Sequence, residues 1–343
     1  MTTKRKITPT RRPHQRAVLL GLLLLSLFSI LIACAAGSVN LTFSDFVSAI
    51  QHRVDANHNM AATVIDLRLH RALSAFVTGA TLSLAGVMMQ ALLRNPLADP
   101  YVLGVSGGAA VGALAAILLF SAAWTVDAAA FAGAIAISLL LYMLARHDLR
   151  GVEHAEGGAP LLLLSGVVLA SGSGALISLL LSIAPEAAVR GMVFWLIGDL
   201  SDTGFRWLPW GVLVVALVFS LRFARAINAL ALHAEAALTL GVDVGWLRRA
   251  LFGCSALLTA SAVSNAGSIG FVGLIVPHAC RFALGADHRL LLPAATLAGG
   301  IFLVLADTLA RTALAPQQLP VGVMTALIGV PVFLIQLHRL RGR

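Results

Sequence analysis

The chain has 343 residues, of which 59% are hydrophobic and 11% are Asp, Glu, Lys or Arg, with a formal charge of +9. Its two lysines, Lys4 and Lys6, both lie near the N-terminus, so it holds no P-loop, a motif that needs a lysine beside phosphate-cradling glycines. A polytopic membrane protein is implied, and any ATP hydrolysis that drives it comes from another polypeptide.

A bilayer core of about 30 Å takes roughly 20 apolar residues as a helix. In chain order the apolar runs are 17–36, 72–91, 102–120, 124–145, 160–182, 207–224, 247–266, 271–284, 290–310 and 321–337. The eighth is short and interrupted by Pro277. The reading predicts an all-α polytopic protein: a basic tail over residues 1–16, then one ten-helix domain over 17–343 with no room for a soluble catalytic domain. The first run is longer than a secretory h-region, so a retained helix is expected. Cys34, Cys254 and Cys280 fall in spans without metal-ligand spacing, and no metal site is expected.

The positive-inside rule sets the sidedness. With a cytoplasmic N-terminus, only Arg53, Arg68, Arg71, Arg190, Arg206 and Arg311 of the 24 basic residues fall outside. Both termini are therefore expected in the cytoplasm. The positive charge reads as topology rather than as nucleic-acid binding.

The two halves share matched islands. Arg71-Ala72-Leu73 is similar to Arg249-Ala250-Leu251, and the run from Tyr101 to Ala109 is similar to that from Phe271 to Ala279. Spans two and seven would run in opposite directions. The reading is thus an inverted repeat of spans 2–5 and 7–10, an arrangement in which broken helices at equivalent places mark the functional centre of transporters. Spans three and eight are the interrupted ones, carrying Gly104, Gly107 and Gly108 in one half, and Gly270 and Pro277 in the other. Span five carries Gly166, Ala170 and Gly174 at four-residue intervals, a smooth packing face. Asp307 lies inside a span, four residues before Arg311, which suits either a helix ion pair or a proton carrier.

Several motifs occur in one order: Arg68-Leu69-His70-Arg71; Arg94-Asn95-Pro96-Leu97-Ala98-Asp99-Pro100; Phe194-Trp195-Leu196-Ile197-Gly198-Asp199; Gly267-Ser268-Ile269-Gly270 running to Pro277-His278; Gly285-Ala286-Asp287-His288-Arg289; and Ala306-Asp307 running to Arg311. Together, over roughly residues 60–340, they resemble the FecCD-type permeases, the membrane subunits of type II ABC importers for iron–siderophore, haem and vitamin B12.

The resemblance implies a ten-helix subunit in the bacterial inner membrane, paired with a second permease subunit, a homodimer being expected. Two cytoplasmic ATPases would hold the ATP, leaving no cofactor in this chain and no reaction catalysed by it, and a periplasmic binding protein would deliver the chelate. It implies that Arg68, Arg71 and Arg311 pair with glutamates of the binding protein, although His70 stands where the family has proline. Planar guanidinium groups suit such pairing; snorkelling interfacial arginines are the plainer reading. It also implies that Glu235, Leu240 and Gly241, within a coupling segment at about 226–247, dock on the ATPase, with Gly241 as a helix C-cap. The alternative is a solvated connecting helix. Span five would line the pathway. The stretch 191–207, with Trp195, would form a short helix at the outer surface. His278 is expected to make a structural hydrogen bond rather than to ligate iron.

An ion-coupled secondary transporter would need cation-coordinating groups within the membrane. An intramembrane metalloprotease would need His-Glu-x-x-His, which is not present. A ferric chelate is the expected cargo, with cobalamin behind it and haem third.

Overall fold

A computed structural model describes residues 11–37, 60–120, 122–150, 160–200 and 204–341, and helices form all the regular structure among them. The helices are α1 (Arg11–Ala35), α2 (Met60–Leu93), α3 (Val105–Leu119), α4 (Ala123–Leu144), α5 (Arg146–Arg150), α6 (Pro160–Ile183), α7 (Glu186–Ile197), α8 (Trp207–Arg222), α9 (Ala224–Leu232), α10 (Ala234–Thr239), α11 (Val244–Ala266), α12 (Val272–Leu284), α13 (His288–Thr312) and α14 (Val321–Arg341). Each predicted span coincides with one of α1, α2, α3, α4, α6, α8, α11, α12, α13 and α14. The first helix begins at Arg11, inside the predicted tail, because Pro13 falls in the first turn, where a missing N–H costs no helical hydrogen bond. Arg53 and the tail before Arg11 lie outside the described residues.

By length and composition α1, α2, α4, α6 and α13 suffice to cross a membrane, and α8 with α9 makes a further such run bent by 67°. The remaining spans are short or less apolar. Helix α11 carries Ser255, Thr259, Ser261, Ser264 and Asn265, all buried. Lipid does not solvate such groups, so α11 belongs in the middle of the bundle. Helix α2 is its neighbour there and is buried along nearly its whole length, while α1, α4 and α6 leave most of their apolar surface exposed.

The inverted repeat is visible in which helices touch. Between the halves, α2 packs on α13 as α11 packs on α4; within them, α3 pairs with α4 as α12 pairs with α13. The two central helices, α2 and α11, pack on each other across the pseudo-twofold axis. The correspondence stops at α1 and α8: α1 lies on α13 and α2, whereas α8 lies on α11, α2 and α13. Tight backbone approach makes these contacts possible. A Cβ on Gly79 of α2 would run into the Gly299 carbonyl of α13, so the helices meet backbone to backbone. Polar ties fix their register: Ser83 Oγ donates to the Ala295 carbonyl at 2.7 Å, Ser255 Oγ to the Ala85 carbonyl at 3.2 Å, and Asn265 Nδ2 to Thr78 Oγ1 at 2.9 Å.

Candidate functional site

Helix α13 spans His288–Thr312, capped by Asp287 at one end and with Asp307 near the other, and these two carboxylates name the two ends of the bundle. At the Asp307 end, Arg71 of α2 makes a two-pronged contact with Asp307, with Nη2 at 2.8 Å and Nε at 3.1 Å from Oδ1, and reaches Gln318 Oε1 with Nη1 at 2.8 Å. Arg311 Nε donates to the other carboxylate oxygen at 3.1 Å, and its Nη2 to the Ala33 carbonyl at 3.1 Å. Arg68 Nη1 donates to the carbonyls of Cys34 and Ala35, both at 3.1 Å. The exposed carbonyls at the end of α1 carry partial negative charge, which suits two guanidiniums. Arg68, Arg71 and Arg311 are 6%, 9% and 5% exposed. The three arginines expected to face a binding protein are therefore together, but buried and engaged within the chain. The predicted Asp307–Arg311 helix pair forms, and Arg71 joins it from 236 residues away.

The helix interruptions fall at two of the residues the sequence suggested, Gly104 and Gly270, but not at Gly107, Gly108 or Pro277. Helix α12 continues through Pro277, which lies inside Val272–Leu284, and the break precedes it at Gly267–Phe271. Gly107 and Gly108 lie inside α3, packed on Ser173 and on the Gly133–Ile137 stretch, and the break there is a 3₁₀ turn over Pro100–Leu103. Both helices start on a left-handed residue, Gly104 (φ +79°) and Phe271 (φ +71°). The repeats thus correspond three residues out of step with the sequence match, which paired Tyr101 with Phe271. The two breaks touch. Asp99 Oδ1 accepts from the Tyr101 backbone N–H at 2.8 Å, and Tyr101 Oη accepts from the Ile269 N–H at 3.2 Å. Gly270 has open space where a side chain would be. His278 Nδ1 is buried with no hydrogen-bond partner among the described residues, so the expected structural hydrogen bond is not made. No group of three His, Cys, Asp or Glu side chains able to hold a metal occurs among the described residues.

Span five divides. The backbone of Gly166 and Ala170 packs against Gly104, while Gly174 is open. The free face of α6 carries Val167, Val168 and Leu176 instead. Helix α7 is the predicted short helix, but its end turns inward: Asp199 N–H donates to the Ala266 carbonyl at 3.0 Å, and Gly267 packs on the Trp195 carbonyl. Sequence reasoning passed over Asp127 in α4, whose carboxylate meets Arg206 at 2.8 Å. It lies in span 124–145, and an acid near a span end is the signal that would have found it.

At the Asp287 end the predicted coupling segment is two helices, not one, because His233 between α9 and α10 is extended. Gly241 (φ +76°) closes α10 as expected: its N–H donates to the Leu238 carbonyl at 2.8 Å and that of Val242 to the Ala237 carbonyl at 3.0 Å, a Schellman closure. Ala234 and Ala237 face inward, whereas Glu235, Leu238 and Leu240 are exposed. Asn95 and Pro96 sit at this end as well, not in the interior: Asn95 Oδ1 accepts from the Leu97 N–H at 2.9 Å, and Pro96 walls a cleft beside α9.

The family model of the FecCD transport family matches residues 23–339. A cobalamin import system permease protein of Halobacterium salinarum is 46% identical over 280 residues, 79% of this chain and 72% of its own. The hemin transport system permease protein of Yersinia pestis is 38% identical over 341 residues, 95% of this chain and 97% of its own. A solved metal-chelate type ABC transporter in an inward-facing conformation superposes with a TM-score of 0.79 at 30% identity, covering 94% of this chain and 99% of that one. The geometry and these relationships agree, and the chain belongs to the FecCD transport family, as a permease of the ABC importer class.

Proposed function

We propose that this chain is the membrane-spanning permease subunit of an importer that brings a metal chelate into a bacterial cell, with both termini in the cytoplasm and the Asp287 end inward. The relationship to permeases named for cobalamin and hemin, near full-length for the second, carries this reading. Those cargoes are macrocyclic metal chelates, which puts a corrinoid or haem ahead of the ferric siderophore that the sequence alone favoured. Ion-coupled transport has little support, since Asp307 is already shared by two arginines.

Two separate ATPase polypeptides would hydrolyse the ATP and press on α10, where Leu238 and Leu240 offer an apolar contact and Glu235 a charged one. A second permease subunit would complete the pathway against the free face of α6. A binding protein would dock at the Asp307 end. Arg71 and Arg311 share one carboxylate there, so a partner's glutamate would be received by exchange with Asp307 or with the carbonyls of α1.

The test is parallel uptake of labelled cobalamin, hemin and a ferric siderophore in cells lacking this chain and in complemented cells. Selective loss and rescue of cobalamin or hemin uptake is expected. Selective loss of siderophore uptake would restore the first choice of cargo, and no change in any of the three would overturn the chelate assignment.

A further inference from the structure

Two motifs that the permease reading leaves without a task, Arg94-Asn95-Pro96 and Gly285-Ala286-Asp287-His288-Arg289, close around one cleft of about 540 Å³, with Asn228 of α9 between them. It opens at the N-terminus of α13, where the helix dipole leaves partial positive charge. The first N–H groups there are already taken, His288 by Asn228 Oδ1, Arg289 by Asp287 Oδ1, and Leu290 and Leu291 by the Asp287 carbonyl. Arg94 and Arg281 line it too. One carboxylate stands there, but Asp287 Oδ1 already accepts from Asn228 Nδ2 at 2.8 Å and from the Arg289 backbone N–H at 3.1 Å, as a helix cap.

The wall holds two orphaned acceptors. His288 is 2% exposed, and its backbone N–H and Nδ1 both meet Asn228 Oδ1, at 2.9 and 2.7 Å. An amide oxygen only accepts, and the bond from Asn228 Nδ2 to Asp287 confirms which atom is the oxygen. Nδ1 therefore carries the proton, and Nε2 of the neutral ring is a buried lone pair with no partner. Gln90, also 2% exposed, donates Nε2 to the Leu274 carbonyl at 3.4 Å and leaves Oε1 without a partner. Cations and orphaned acceptors in one cleft are half of a polar site.

We infer that this cleft binds a phosphate anion that also carries hydroxyl donors, as the glycerol-phosphate headgroup of an acidic lipid does and as protonated inorganic phosphate does. Arg94 and Arg281 take the phosphate oxygens, with the α13 dipole favouring the anion. The hydroxyls donate to His288 Nε2 and Gln90 Oε1. A choline headgroup fits poorly, because it sets a methylated cation without a donor against two guanidiniums. The lining favours the lipid source: Leu232, 72% exposed, and Ala231 and Pro96 offer apolar surface suited to acyl chains. The inference needs neither the cargo nor the ATPase, so it stands or falls separately from the transport reading.

The test uses the full-length chain purified in detergent. Native mass spectrometry compares retention of phosphatidylglycerol and phosphatidylcholine with the same acyl chains, and thermal unfolding is followed with and without inorganic phosphate. Wild type is expected to hold phosphatidylglycerol about tenfold better than phosphatidylcholine. Arg94→Gln with Arg281→Gln should bring the two lipids to parity. Gln90→Met, close in shape and uncharged, should lower phosphatidylglycerol retention several-fold at an unchanged melting temperature, which answers the question even if the double variant fails to fold. Stabilisation by phosphate alone, lost in the variants, would assign the site to the soluble anion. Equal retention of both lipids with no effect of phosphate, or a preference that survives all the substitutions, would overturn the inference.

Discussion

The two ends of α13 handle charge in opposite ways. At the Asp307 end, Arg71 and Arg311 are buried and converge on one carboxylate, with the last carbonyls of α1 completing the cluster. At the Asp287 end, Arg94 and Arg281 line an open cleft, and the nearby carboxylate serves as a helix cap. The first arrangement ties α1, α2 and α13 together and tolerates little loss. The second leaves two buried acceptors, His288 Nε2 and Gln90 Oε1, without partners beside the cleft, and its arginines tolerate change in the free protein. Burial decides the difference: a charge removed from water needs its partner, and one at a cleft mouth does not.

The contrast can be broken at its strongest point first. Asp307→Ala leaves two guanidiniums buried side by side, and the cost expected is about 3–5 kcal/mol, read as a lower thermal midpoint and lower yield in detergent. An unchanged midpoint would mean that the cluster does not hold the helices. Gly299→Val, which forces a side chain against the Gly79 carbonyl and Ser83, should cost about 1–3 kcal/mol in the same measurement through overpacking.

At the opposite end, Leu238→Glu with Leu240→Glu should leave stability within about 0.5 kcal/mol, because both residues are exposed. The same pair should abolish ATP-driven uptake in reconstituted vesicles, and full uptake by this variant would remove α10 from the coupling surface. The smallest effect concerns Asp287. Burial pushes its carboxyl up, but hydrogen bonds from Asn228 and the Arg289 N–H, with Arg289 and His288 nearby, outweigh that and hold it below the usual 3.8. The folded state then favours the ionised form, so this stabilisation is present above the ordinary value and is lost as pH falls through the lower folded one. Asp287→Asn should flatten the acid limb of the melting curve below the usual carboxylate range while leaving the neutral midpoint nearly unchanged, since Asn caps a helix about as well as Asp. An identical acid limb in the two proteins would contradict the assigned bonding.

What could be read from the chain was local or compositional. Ten apolar runs became ten helices, Gly241 closed α10, and Asp307 paired with Arg311 one helical turn away, because helix length, capping and i,i+4 spacing are set by neighbours in sequence. The order of motifs named the family for the same reason. The breaks were placed correctly at Gly104 and Gly270 but wrongly at Gly107, Gly108 and Pro277, because Gly and Pro show only that a helix can be interrupted. Pro277 was accommodated inside α12, while Gly267–Phe271, packed between the α7 end and Tyr101, was not helical at all. Arg71 meeting Asp307 and the cleft drawn from α2, α9, α12 and α13 were invisible in the sequence. Such contacts depend on how buried helices stack. The sequence determined which segments form apolar helices; the packing decided which polar groups were satisfied inside and which were left without a partner beside a cleft, since a polar group's partner in lipid is whatever the neighbouring helix presents.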